Sequence, residues 1–204
     1  RHHAIASKTP MLEPSDSSEC LSFAKLGFEL SEEFDTPFLL RLSTRVSHSR
    51  SLVSLSEREE RELKEYKKDV MKNVMMPAMA KGAHVRVEKR TEALTEWADT
   101  KAVEKGVNTV EYFNRKLGVI AAGTAYTYAR EALGEKASFL KLGLVNPLPI
   151  KLIKEFSKNV ERVVVIEELD PIIENHCKTL GVEVEGKSLF SVLGEFSQAT
   201  VKKA

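Results

Sequence analysis

Leu117-Gly118-Val119-Ile120-Ala121-Ala122-Gly123-Thr124 is an uninterrupted apolar run that ends in glycine and a hydroxyl residue. A run of this length without polar alternation reads as a strand buried on both faces, the kind found inside parallel sheets. Thr124 reads as the cap of a helix reaching Leu133, with Ala125, Tyr128, Ala129 and Ala132 turned inward. The same grammar repeats downstream. Ser138-Phe139-Leu140-Lys141-Leu142 is a second strand, and Asn146-Pro147-Leu148-Pro149 is a rigid turn. Pro149 suits a first helical position, and Ile150, Ile153 and Phe156 form the apolar face that follows. Arg162-Val163-Val164-Val165-Ile166 is a third strand, closed by Glu167-Glu168. Asp170-Pro171 opens a helix to Leu180, Gly181 stops it, and Val182-Glu183-Val184 is a last short strand. Strand and helix alternate, so this stretch predicts an α/β fold with a parallel sheet and helices on its faces.

Outward from this unit the pattern changes. Thr9 to Glu19 reads as a strand end entering a helix, with Ser15 or Ser17 as cap and Asp16 and Glu19 in the first turn. Cys20, Phe23, Gly27, Leu30 and Phe34 form one apolar stripe, and Asp35-Thr36-Pro37 ends it. Phe38-Leu39-Leu40 then reads as a buried interior strand that empties into a basic loop. This is one strand-helix-strand unit with no sheet of its own. With a chain that begins at Arg1, it suggests an excised piece of a larger α/β protein. Ser56 to Asp69 is dominated by Glu, Arg and Lys, with Leu63 and Tyr66 apolar, and suits a solvated helix or an arm across a partner. Met71, Met75, Met76 and Met79 surround Pro77 and suggest adaptable packing where two domains meet. Val85, Val87, Leu94, Trp97 and Ala98 mark a helix to about Thr100. The expected division is 1–50 as part of an α/β domain, 51–113 as a helical connection without sheet signal, 114–190 as the complete unit and 191–204 as a tail.

Composition narrows the class. The 204 residues are 42% hydrophobic and 30% charged, with 31 basic and 30 acidic side chains, so no electrostatic footprint for nucleic acid is present. No run approaches the length of a membrane span, and no leader pattern is visible. Cys20 and Cys177 form neither a disulfide framework nor a metal cluster, which points to a reducing cytoplasm.

Three places could carry chemistry. Gly123-Thr124 meets a helix N-terminus and could hold an anion, or could simply be a tight turn. Glu167 and Glu168 are adjacent on a strand and so face opposite ways; the pair reads either as acid/base groups or as one capping and one solvated carboxylate. Arg41, Thr44, Arg45, Ser47, His48 and Arg50 are the stronger constellation. Guanidinium forks and hydroxyls at a strand's carboxyl end suit phosphate or carboxylate binding, and a domain contact is the competing reading. His84 and His176 lack partners at metal spacing, and Cys177 lacks a neighbouring base.

Arg1-His2-His3, Pro10-Met11-Leu12-Glu13-Pro14-Ser15-Asp16-Ser17 and the run Leu40 to Ser49 resemble the alpha subunit of the indolepyruvate:ferredoxin oxidoreductase family. So do Gly118 to Gly123, Leu140 to Pro149 and Val165 to Pro171, in the same order. The later pattern is shared with other thiamine-dependent enzymes related to transketolase. The resemblance implies oxidative decarboxylation of an aryl pyruvate such as indolepyruvate, with coenzyme A as acyl acceptor and ferredoxin as electron acceptor. It implies thiamine diphosphate, magnesium and 4Fe-4S clusters in the full enzyme, and a smaller beta subunit as partner. Residues 1–50 would then be the end of the pyrimidine-binding domain, and 114–190 a transketolase C-terminal-like domain. Thr44-Arg45-Val46-Ser47-His48 resembles the Arg-Thr-Ser-His run of related pyruvate enzymes, which gives Arg41, Thr44, Arg45, Ser47 and His48 as substrate- or cofactor-binding candidates. The family's pyrimidine-activating glutamate, its Gly-Asp-Gly to Asn signature and its Cys-x-x-Cys-x-x-Cys run are absent, so the piece alone is expected to be inactive. Two alternatives remain. One is a non-catalytic scaffold with the same fold. The other is a small nucleotide-binding protein, which the lack of a glycine-rich loop disfavours.

Overall fold

The computed structural model describes residues 1–58, 60 and 65–204. In chain order the elements are α1 (His2–Ser7), β1 (Met11–Leu12), α2 (Ser17–Phe34), β2 (Leu39–Leu40), α3 (Thr44–His48), α4 (Val70–Asn73), α5 (Pro77–Asp99), α6 (Lys101–Glu104), β3 (Thr109–Glu111), β4 (Gly118–Ala122), α7 (Gly123–Leu133), β5 (Ser138–Leu142), β6 (Leu144–Asn146), α8 (Lys151–Lys158), β7 (Val163–Ile166), α9 (Ile172–Thr179) and α10 (Gln198–Lys203). A 3-10 turn, Gly134–Lys136, closes α7.

The larger sheet has the order β3-β5-β4-β7. β4 lies parallel to both β5 and β7, with Ile120 opposite Leu140 and Val165. All five residues of β4 and of β5, and all four of β7, are buried. Successive side chains then sort to opposite faces. Ile120, Leu140, Leu142 and Val165 pack with Ile153 and Phe156 of α8 and Ile173 and Cys177 of α9. Val119, Ala121, Phe139 and Ile166 pack with Ala125 and Ala129 of α7 and with Phe196 and Val201. Full burial of one such aromatic or aliphatic side chain contributes about 2–3 kcal/mol, so each face alone holds enough to fix the helices that cover it.

Several expectations are corrected here. The sheet is not wholly parallel, because β3 runs antiparallel to β5; this strand lies in the stretch expected to carry none. Val182–Val184 is no strand, and only a single bridge joins Val164 to Glu185. The expected tail is docked, because Phe196 and Val201 supply apolar surface to the face that α7 leaves open.

The first fifty residues join a second, three-stranded sheet of order β2-β1-β6. β1 and β2 are parallel, and β6 is antiparallel to β1, so residues 144–146 complete what the first segment begins. The segment expected to have no sheet of its own therefore shares this one. The cap of α2 is Asp16, not Ser15 or Ser17; its carboxylate accepts from Glu19 N at 2.8 Å. Glu19 in turn accepts from Ser15 N and Ser15 Oγ, both at 2.8 Å, a reciprocal cap of two orphan donors. Phe23 and Leu30 of α2 bury against Leu12, Trp97, Ala98 and Leu144. β2 is not interior. It is an edge strand, and Leu39 and Leu40 are 38% and 37% exposed, because among the described residues no strand pairs on its outer side. The loop after it is short helix α3, capped by Ser43 Oγ. Thr124 does not cap α7, whose N-terminus has no side-chain cap.

The charged arm expected over Ser56 to Asp69 falls partly on residues outside the described set; 56–58, 60 and 65–69 are exposed and without helix or strand. Met71, Met75 and Met76 are exposed rather than packed at a junction. α5 begins at Pro77, whose missing N–H costs nothing there. Among the described residues no helix is long and apolar enough to cross a membrane.

Candidate functional site

Residues that follow the carboxyl ends of β2 and β7 line one cleft. Parallel strands end there with their loops free, so ligand crevices form at this edge. A cleft of about 820 Å³ lies between the β2–α3 turn, the loop after β7 and the turn before Phe196. Arg41, Thr44, Arg45 and His48 line it on one side, and Glu168, Leu169 and Glu195 on the other. Four of the five candidates from the sequence thus come together; Ser47 lies on α3 but is absent from the lining.

The cleft has a buried ionic floor. Arg41 Nη1 pairs with Glu13 Oε1 at 2.8 Å. Glu13 also receives Arg1 Nη2 at 2.9 Å and Arg1 Nε at 3.0 Å, and Arg1 Nη1 reaches Glu167 Oε2 at 2.6 Å. Glu167 finally accepts from the backbone N–H groups of Ile173 and Glu174, at 3.0 and 2.9 Å. The chain Arg41–Glu13–Arg1–Glu167 therefore ends on the N-terminus of α9, where a carboxylate complements the helix dipole. Burial opposes the charge on Glu13, but Arg1 and Arg41 outweigh it and hold the pKa below the usual carboxylate range. For Glu167 burial prevails, and its pKa lies above the ordinary value despite the two N–H donors and Arg1.

Gly123 explains how Glu13 fits. Its φ is +55°, and a Cβ there would stand 2.7 Å from Glu13 Oε1. The glycine is a close-approach turn that the chain's own carboxylate fills, which answers the choice between anion cradle and tight turn. Glu167 and Glu168 follow β7 rather than lie in it, yet they divide. Glu167 is buried and absent from the cleft lining, while Glu168 lines the cleft and accepts from Phe196 N at 2.8 Å.

Arg45 is held differently. Its Nε and Nη2 each lie 2.7 Å from the two oxygens of Glu195, a parallel two-bond fork. Glu195 keeps the guanidinium firmly charged, by these bonds first and by its negative charge second. Both partners remain about half exposed. Leu42 and Leu169 line the same space and are exposed to solvent. Leu169 has φ +60°, a left-handed backbone that a branched apolar residue rarely adopts and that costs of order 1–2 kcal/mol. Sequence reading missed Glu13, Leu42, Leu169 and Glu195. Glu13, Leu42 and Leu169 lie within the quoted motifs; Glu195 lies outside all of them.

The cleft can thus offer cations, a hydroxyl and an imidazole to an anionic group, beside apolar surface. Among the described residues no group of three or more His, Cys, Asp or Glu is arranged to hold a metal ion. Cys177 is buried, and its thiol is pushed up to about 12 by burial first and by Glu167 second.

No protein-family model matches the chain. Indolepyruvate oxidoreductase subunit IorA of Methanothermobacter thermautotrophicus is 36% identical over 217 aligned positions, which take in 100% of this chain and 35% of that protein. The subunit of the same name from Archaeoglobus fulgidus is 34% identical, over 92% of this chain and 30% of the relative. The chain therefore spans about a third of the length of the curated relatives it matches, and the motif resemblance is borne out along its whole course. Among solved structures, 2-oxoglutarate:ferredoxin oxidoreductase from Magnetococcus marinus, with 2-oxoglutarate, coenzyme A and succinyl-CoA bound, superposes with a TM-score of 0.63 at 13% identity. That match takes in 96% of this chain and 41% of the other. A split-gene transketolase in an inactive tetramer superposes with a TM-score of 0.51 at 17% identity, over 96% and 52% of the two chains. At such identities these two establish the fold.

Proposed function

We propose that this chain, a homologue of part of the indolepyruvate oxidoreductase subunit IorA, is a portion of the large subunit of a cytoplasmic 2-oxoacid:ferredoxin oxidoreductase acting on aryl pyruvates. The observation that carries the reading is the match along the whole chain to that subunit at up to 36% identity. In this reading the complete enzyme decarboxylates indolepyruvate oxidatively, passes the acyl group to coenzyme A and the electrons to ferredoxin, and works with a smaller beta subunit. Residues 1–50 belong to the pyrimidine-binding domain, 51–113 connect, and 114–190 with the docked 191–204 form the transketolase C-terminal-like domain.

The residues present do not fit the family's redox groups. Cys20 and Cys177 are single thiols at opposite ends of the chain, one half-buried and one buried. The 4Fe-4S clusters would therefore be held by the rest of the enzyme, and in this reading thiamine diphosphate and magnesium are bound with its help. What this chain contributes is placement. Arg45 and Arg41, with Thr44 and His48, give a cationic wall suited to a carboxylate or to a phosphate of the acyl acceptor, and Leu42 and Leu169 give an apolar wall suited to an aromatic body.

The test uses the complete enzyme with its beta subunit, assayed for coenzyme A-dependent reduction of ferredoxin by indole-3-pyruvate. Arg45→Ala should lower kcat/KM for the oxoacid or for coenzyme A by about 10-fold or more, as loss of a charge-assisted pair of hydrogen bonds would. The melting temperature should be kept, since the Arg45–Glu195 pair is exposed. Unchanged kinetics beside a lowered melting temperature would assign Arg45 to architecture. No turnover of any aryl 2-oxoacid by the parent enzyme would overturn the functional reading itself.

A further inference from the structure

The cleft is not empty of anions. The fork of Arg45, its best-formed binding group, already carries a carboxylate from the chain itself, and that carboxylate comes from a residue 150 positions away. We propose that Glu195 is a built-in competitor for the anion site of the cleft, a side chain that an incoming 2-oxoacid carboxylate must displace from Arg45. The proposal rests on reading the cleft as the anion-binding site of this chain.

Four observations support it. The occupied geometry matches the ligand class, because two N–H···O bonds of 2.7 Å are what a guanidinium fork gives any carboxylate. The pair is open to water on both sides, Arg45 at 59% and Glu195 at 48% exposure, so breaking it uncovers no buried charge. The backbone beneath Glu195 does not have to move. Phe196 is buried and packs its ring on Phe190 at 5.5 Å, and its N–H is held by Glu168. Rotation about the Glu195 side chain alone therefore frees the fork. Finally, Arg41 is not an equivalent alternative site. Its guanidinium is committed to Glu13, which is buried and cannot swing out without also breaking its two hydrogen bonds from Arg1.

Internal competition has a specific consequence. It lowers the affinity for any carboxylate by the stability of the Arg45–Glu195 pair, so that a ligand needs a second contact to bind appreciably. An aryl group reaching Leu42 and Leu169 would supply one. A small carboxylate without an apolar body would not displace Glu195 as readily. Glu195 thus sets how tightly the site holds an anion and is not a member of the reacting machinery.

The experiment titrates the 204-residue chain with sodium phenylpyruvate and, separately, with inorganic phosphate, by calorimetry at low salt. Glu195→Gln keeps the volume but removes the charge, and should bind phenylpyruvate roughly two- to fivefold more tightly than the parent, the factor expected for an exposed ion pair. Glu195→Ala should gain similarly, and adding Arg45→Ala to either should abolish the gain. Equal or weaker binding by Glu195→Gln, a gain that survives loss of Arg45, a gain confined to phosphate, or no binding of phenylpyruvate by any variant would each overturn the proposal. Anion binding is read here without turnover. An increase in affinity in a chain whose full enzyme fails on aryl 2-oxoacids would remove the functional assignment and leave the competitor role standing.

Discussion

Replacing Glu13 by Gln probes the ionic floor on which the cleft stands. The substitution keeps size and one acceptor oxygen but removes the charge that Arg1 and Arg41 share. Breaking a buried ion pair from one side costs about 3–5 kcal/mol when the orphaned charge stays buried. Two features reduce that here. Arg1 keeps Glu167 at 2.6 Å, and Arg41 is 28% exposed and can turn to water. The expected loss is then about 2–4 kcal/mol, which for a chain of this size lowers the melting midpoint by roughly 5–15 °C. Thermal melts followed by far-UV circular dichroism measure it. The pH dependence supplies an internal check. Arg1 and Arg41 lower the Glu13 pKa in the folded state, so its stabilising contribution is complete above the ordinary glutamate value of about 4.3 and is lost as pH falls through the lower folded value. The gap between parent and Glu13→Gln should therefore be full at neutral pH and should close only in acid. A midpoint at neutral pH indistinguishable from the parent's, or a gap that widens as pH falls, would refute the account of Glu13 as a charged keystone.

Other outcomes test the packing. A side chain at Gly143 would collide with the Val107 carbonyl and stand 2.8 Å from the Phe23 ring, where the backbone carbonyl cannot yield; Gly143→Ala should cost about 2–4 kcal/mol, at the upper end for a one-methyl insertion, visible as a lowered urea midpoint. A shift of less than a few tenths of a kcal/mol would show that the β5–β6 corner is looser than drawn. Cys177 is buried with its thiol pushed up to about 12, so a disulfide reagent at mildly alkaline pH should leave it unreacted in the folded chain and modify it only after denaturant is added; rapid native labelling mapped to Cys177 by mass spectrometry would contradict its place between α9 and the sheet.

The alternation of apolar runs with amphipathic stretches between Gly118 and Thr179 was legible from the amino acids, because strand and helix periods are local properties that each segment expresses regardless of its neighbours. The gathering of basic and hydroxyl residues after β2 was legible for the same reason. What surrounds each segment was not. Leu39 and Leu40 read as interior yet lie at an edge, since burial depends on whether another strand is present. Met71, Met75 and Met76 read as packing groups yet face solvent. β3 and β6 are three residues each, too short to show a period, and exist because β5 and β1 offer them hydrogen bonds.

The cleft makes the same division. Arg41, Thr44, Arg45 and His48 lie within eight positions of one another, and their chemistry was readable on the page. Glu195 and Leu169, more than a hundred residues away, are brought opposite them by the course of β7 and by the burial of Phe196. Whether Arg45 is a free cation or one already holding a carboxylate is a matter of distance in space, and a chain of letters carries distances only along itself.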